Sequence, residues 1–149
     1  MKVRDFTIRS NDKLNDQNHL IKVSPADNEP LPEMYPGQFV QILVDNSPHV
    51  FLRRPISINF VDYEKQEIWL LIQRVGEGTE KICNTSIGNT LNLIFPLGNS
   101  FTLPGERGNF LLIGGGVGSA PLLYLGKKLK DSGQEPEFLL GGRSKKDIL

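Results

Sequence analysis

The sequence predicts two kinds of structure in one chain: a mainly β part, an antiparallel barrel or sandwich, then the opening of a nucleotide-binding α/β unit. Three observations carry this. Six short strand-like stretches, divided by turn residues, fill the first hundred positions. A run at 109–113, apolar from Phe110 onward, is followed by a cluster of glycines. A helical stripe and a second apolar run then complete a strand–helix–strand pattern.

In order, the expected strands are residues 2–9, 20–24, 38–44, 55–60, 67–73 and 90–95. Pro25, Pro30 and Pro32 make the second connection an irregular loop. Pro36-Gly37 suits the centre of a type II turn, because proline presets one dihedral and glycine accepts a positive φ. The style changes after Pro104-Gly105, which sets the expected division at residues 1–105 and 106–149. Residues 119–131 read as a helix, with Leu122, Leu125 and Leu129 on one stripe and Gly133 as its stop. Residues 137–140 form the second apolar strand. The second part supplies 44 residues, against the roughly 100–150 of an ordinary domain. One helix and two strands cannot cover both faces of a sheet. The expectation is therefore an α/β domain that is cut short or completed by another molecule, with self-association through its bare part.

Composition narrows the function classes. Lysine plus arginine equals aspartate plus glutamate at 17 each, so nothing draws the chain toward nucleic acid or an anionic membrane. Hydrophobic residues at 38% allow a real core. Cys83 is the single cysteine, so neither an intrachain disulfide nor a four-thiolate iron–sulfur centre can come from this chain alone. Residues 109–126 carry no charge, but Gly114, Gly115, Gly116, Gly118 and Pro121 interrupt them, which argues against a spanning helix. The N-terminus lacks the apolar run of a signal peptide, and the expectation is a cytoplasmic protein without a membrane role.

Three segments could carry chemistry. Arg53 and Arg54 precede Pro55, at a strand start or bulge, and a guanidinium can hold a phosphate through two parallel hydrogen bonds. Strict alternation puts Arg54 and Ile56 on one face and Ser57 on the other, so Ser57 joins the same ligand only through a bulge, a strand end or its backbone. The second segment is Val75-Gly76-Glu77-Gly78-Thr79, with Thr79 expected as the N-cap of a helix through Ile82 and Cys83. A bare helix start offers N–H groups to phosphate. The third is Gly114-Gly115-Gly116-Val117-Gly118-Ser119-Ala120-Pro121. Small residues there let a pyrophosphate approach the backbone, although Gly116-x-Gly118-x-x-Pro121 departs from the usual dinucleotide fingerprint at its last position. Each segment has a plainer reading as an ion pair, a capped turn or a tight loop. His19 and His49 show no metal spacing, and Trp69 and Cys83 read as packing. No hydrolase arrangement stands out.

Together with Pro36-Gly37-Gln38-Phe39-Val40, Leu52-Arg53-Arg54-Pro55-Ile56-Ser57-Ile58 and Pro96-Leu97-Gly98-Asn99-Ser100-Phe101, these segments occur in one order that resembles the ferredoxin reductase-like flavoproteins. Within them the chain is most similar to the electron-transfer subunits of NAD-dependent dihydroorotate dehydrogenase. The resemblance implies a Greek-key FAD-binding barrel followed by an NAD-binding domain. It implies Arg54, Pro55, Ile56 and Ser57 as a first FAD segment. Leu71, Ile72 and Gln73 would line the flavin, with Gly78 and Thr79 on the pyrophosphate. Gly116, Gly118 and Pro121 would belong to the NAD side. It further implies a 2Fe–2S cluster in the whole protein and a partner, the catalytic FMN-containing dihydroorotate dehydrogenase subunit. Phe95 stands where the family tends to have glycine, and Asn89 where aspartate is common. The family's cysteine-rich motif is absent. Arg143 reads equally as a ribose contact or a solvated residue. The alternatives are another NAD(P)H–flavin oxidoreductase subunit of the same class, or a truncated interaction module without catalysis.

Overall fold

A computed structural model of the protein describes residues 1–45, 47–103 and 108–149. Six strands close into a barrel: β1 (Lys2–Lys13), β2 (Asn18–Pro25), β3 (Phe39–Ile42), β4 (Arg54–Asp62), β5 (Glu67–Gln73) and β6 (Thr90–Leu97). Their order round the barrel is β1-β2-β5-β4-β3-β6, and every neighbouring pair is antiparallel. The barrel alternative is therefore the one adopted. Alternation drives it: Ile68, Leu70 and Ile72 of β5 point inward without exposure, as do Ile21 and Val23 of β2. Register shifts at Ile8/Ser10, Phe39/Gln41 and Ile58/Phe60 supply the local bends that closure demands.

Phe95 is packed edge-on against Phe6 at 4.9 Å in the barrel interior, where it fills the core. Gly37 has φ +99° and Gln38 donates to the Tyr35 carbonyl at 3.2 Å, the turn expected from Pro36-Gly37. The proline-rich loop is clamped by Arg4, which pairs with Asp27 through two hydrogen bonds and donates to the Glu29 carbonyl. That guanidinium also holds the Asp27 carboxyl below its ordinary range. Strand β1 runs past the expected end at residue 9, because Ser10–Lys13 continue the ladder with β2 beyond the bulge.

Between β5 and β6 lies α1 (Glu77–Cys83), whose Ile82 and Cys83 plug one end of the barrel. Thr79 is not its N-cap. Gly76 holds that place, and Thr79 stands at the third helical position, where its hydroxyl accepts from the Val75 and Gly76 N–H groups and donates to the Gly76 carbonyl. Proximity of the hydroxyl to two orphan amides explains the shift by three residues.

The α/β part consists of β7 (Phe110–Gly115), a 3-10 turn (Gly116–Ser119), α2 (Leu122–Asp131) and β8 (Pro136–Gly141), with β7 and β8 parallel. Its boundary at residues 105 and 106 lies outside the described residues. Helix α2 starts at Leu122 rather than 119, because the glycines wind first into the tighter turn. Leu122, Leu125 and Leu129 form the buried stripe over Leu112. The helix ends in a Schellman motif: Gly133, at φ +79°, donates to Lys130 and Gln134 donates to Leu129. Strand β7 is not covered on both faces as its sequence suggests. Leu111 and Ile113 are 56% and 66% exposed, since α2 shields only the other side. Among the described residues no helix is long and apolar enough to cross a membrane.

The two parts are tied by buried polar contacts. Asn59 on the outer face of β4 donates to the Ala120 carbonyl at 2.7 Å. The Tyr124 hydroxyl donates to the Met34 carbonyl at 2.8 Å, its ring edge-on to Phe60.

Candidate functional site

Strand β4 begins at Arg54, whose Nη2 donates to the Leu52 carbonyl at 2.9 Å. Its Nε is buried and has no hydrogen-bond partner among the described residues. An orphaned donor on a cation is costly unless an acceptor is supplied from elsewhere. Gly78 lies against the same side chain: a Cβ built there would stand 3.0 Å from Arg54 Cδ and 3.3 Å from Val50 Cγ1. Only glycine lets α1 sit this close. The first-turn N–H groups of an α-helix have no acceptor within the helix, and here the Arg54 side chain lies beside that turn. An orphaned donor beside a helix start fits a diphosphate.

The neighbouring Arg53 has a different task. Its guanidinium spans β3 and β6, donating to the Gln41 and Asn92 carbonyls and, at 2.6 Å, to Asn92 Oδ1. It is a barrel fastener. Pro55 pairs opposite Gln41 and is exposed. Ile56 packs on the core, while Ser57 is half-buried on the opposite face, as alternation requires. Thr79 has its hydroxyl committed to the turn, so it offers a ligand only its backbone.

Alternation also divides the β5 residues. Ile72 is fully inside the barrel, whereas Leu71 and Gln73 face outward toward the α/β part. Leu71 joins Leu20, Asn59, Leu122, Phe138 and Leu140 around an apolar crevice of about 390 Å³. Gln73 lines a second cleft of about 460 Å³ with Asn18, Gly115, Gly116, Gly141 and Arg143. This cleft lies at the C-terminal ends of the parallel strands, where ligands of α/β folds bind. Gly116 adopts φ +52° there, while Gly118 and Pro121 do not reach its lining. Arg143 does, which places it by the cleft.

Sequence reasoning missed two contributors, Gly126 and Asn18, and the packing role of Gly114 within its glycine segment. Gly114 brings α2 onto β7, since a Cβ there would meet Leu122 and Ser119 within 3 Å. Gly126 does the same against the Phe138 ring. Asn18, which lines the cleft, is 3% exposed with Oδ1 unpaired among the described residues, a polar strand residue that no motif marks. Beneath these, His19 is buried with Nδ1 at 2.8 Å from Asn11 Oδ1, and Asn11 donates to the Cys83 and Thr85 carbonyls behind α1. Burial first, then Arg74 and Lys13, lower the His19 pKa. Burial pushes the Cys83 thiol up to about 11. One such thiol cannot supply the ligands of an iron–sulfur cluster, and the described residues hold no group of three or more candidate metal ligands.

No family model matches the chain. The dihydroorotate dehydrogenase B (NAD(+)) electron transfer subunit of Shouchella clausii is 39% identical over 115 residues, 76% of this chain and 44% of that protein. The subunit of the same name from Bacillus velezensis is 34% identical over 152 residues, covering 99% and 58%. The chain thus spans about half the length of the curated relatives it matches. Among solved structures, an NADH-dependent reduced ferredoxin-NADP oxidoreductase matches with TM-score 0.83 at 27% identity, over 97% of this chain and 50% of that one. Phthalate dioxygenase reductase shares the fold, with TM-score 0.81 at 22% identity over 98% and 46%. By this likeness in sequence, the chain belongs to the family of dihydroorotate dehydrogenase B electron-transfer subunits, and its fold is that of these reductases.

Proposed function

We propose that the barrel binds FAD, and that the chain is the flavin-holding part of an electron-transfer subunit. The subunit passes electrons between NAD and a catalytic FMN-containing dihydroorotate dehydrogenase subunit, in pyrimidine biosynthesis. The observation that carries the reading is the contact of Arg54 with Gly78. It sets a guanidinium N–H, unpartnered among the described residues, beside the start of a helix, the donor set a diphosphate linker needs. The names of the relatives support the partner and the nucleotide.

In this reading Arg54 and the backbone of Gly78 and Thr79 fix the diphosphate, and Pro55, Ile56 and Ser57 present the β4 backbone alongside. Leu71 and Gln73 offer outward side chains to the flavin ring, with Ile72 contributing backbone alone. Gly116, at the mouth of the 460 Å³ cleft, admits the dinucleotide, with Gly118 and Pro121 shaping the turn behind it. FAD, when bound, supplies the exchange of a hydride for single electrons. The apolar crevice beside Leu71 keeps water from that face. An iron–sulfur centre does not fit this chain, and no step is assigned to one.

The test is chemical identification of the bound group. Protein purified and heat-denatured should release FAD rather than FMN, and should retain the FMN-containing subunit in a pull-down. Colourless protein that takes up no added FAD would overturn the reading and favour an interaction module.

A further inference from the structure

The cleft between the barrel and the strand ends contains one polar atom whose orientation the surrounding bonds dictate. Asn15 Oδ1 accepts from the backbone N–H groups of Gln17 and Asn18, at 3.0 and 2.9 Å. It is therefore an acceptor only, and the Asn18 amide must turn its Nδ2 toward it, at 2.9 Å. That leaves Asn18 Oδ1 fixed, buried and without a partner among the described residues, on a side chain whose residue lines the cleft. A buried acceptor whose side chain is held by its bond to Asn15 is a costly arrangement unless a donor arrives.

We infer that Asn18 Oδ1 accepts a hydrogen bond from the carboxamide NH2 of a nicotinamide nucleotide, and so makes this chain select an amide over an acid on that ring. The inference rests on the proposed nucleotide reading of the cleft. Its two walls decide which end of the dinucleotide reaches Asn18. Gly115, Gly116 and Gly141, at the strand ends, are the wall that admits phosphates. Asn18 and Gln73 form the barrel wall, and Gln73 belongs to the strand assigned to the flavin. Hydride exchange needs the two rings within about 3–3.5 Å, which sends the nicotinamide to the barrel wall and the adenine away from it. A carboxylate in place of the carboxamide would set a charged acceptor against the Asn18 oxygen. A site built to receive a donor rejects an analogue that lacks one.

The experiment uses the FAD-loaded protein and three oxidised dinucleotides, titrated by calorimetry: NAD, its nicotinic acid analogue, and its hypoxanthine analogue. The native protein should bind NAD at least about tenfold more tightly than the acid analogue, and treat the hypoxanthine analogue nearly as NAD, a one-bond difference. Asn18→Ala should bring the amide-to-acid ratio down to about twofold or less, with flavin content unchanged. Equal affinity of the native protein for amide and acid overturns the inference without any variant. So does discrimination confined to the hypoxanthine analogue, which would put Asn18 at the adenine. A ratio unchanged in Asn18→Ala overturns it as well. Failure of all three dinucleotides to bind removes the nucleotide reading of the cleft itself, a result distinct from loss of the preference.

Discussion

Arg54 and Gly78 show how a site depends on what a residue lacks. The arginine has a buried Nε without a partner among the described residues, and the glycine has no Cβ to push that side chain away. Gly78→Ala should displace the Arg54 stem, because the added carbon would stand 3.0 Å from Cδ. We expect a stability loss of about 1–2 kcal/mol from overpacking, read by thermal melting, together with weaker flavin retention. His19 gives a pH prediction. Asn11 spends both amide hydrogens on carbonyls, so His19 Nδ1 carries the proton and Nε2 remains a bare, buried acceptor. Protonation would add a charge near Arg74 and Lys13, which, after burial itself, is why the folded-state pKa lies below 6.5. The unfolded chain then binds a proton that the folded one refuses. Stability should be full above about pH 6.5 and fall from there as the pH drops toward the lowered folded value. Melting temperatures between pH 7.5 and 5 should show this slope, and His19→Gln should flatten it.

At the scale of elements, the joint between barrel and α/β part depends on few groups. Tyr124 is 2% exposed, its hydroxyl on the Met34 carbonyl, and burial raises its pKa so that it stays a neutral donor. Tyr124→Phe removes that bond and should cost about 1 kcal/mol, a fall of roughly 2–4 °C in melting temperature for a chain of this size. These joints were not legible in the sequence. Asn59 and Tyr124 are single polar residues in apolar patterns, and their partners lie 61 and 90 residues away; Asn18 sits in the polar run Asn15 to His19, which singles out no one residue. What alternation and turn chemistry govern was legible: strand β5 falls where its pattern puts it, and Gly133 ends α2 in the expected left-handed residue. The three-residue error at Thr79 has a local cause, since a threonine hydroxyl can serve orphan amides from the third helical position as well as from the cap. The division of Leu71, Ile72 and Gln73 followed from alternation alone, but only the closed barrel shows which side is inside.

Over the whole molecule, one apolar surface stands out. Leu111, Ile113 and Leu139, at 56%, 66% and 57% exposure, share the face of β7 and β8 that α2 does not cover. Exposed apolar faces of this kind draw partners. We expect concentration-dependent self-association in analytical ultracentrifugation. The double variant Ile113→Lys and Leu139→Lys should sediment as a monomer with its barrel intact. A native protein that stays monomeric at high concentration would contradict this. The account as a whole turns on the barrel holding its cofactor through Arg54, so the most direct measurement is a titration of flavin-free protein with FAD, followed by absorbance, for native and Arg54→Ala chains. The prediction is one FAD per native chain and an affinity about 10- to 100-fold lower in the variant, the worth of a charge-assisted hydrogen bond. Equal affinity in the two proteins, or no uptake by either, would contradict it.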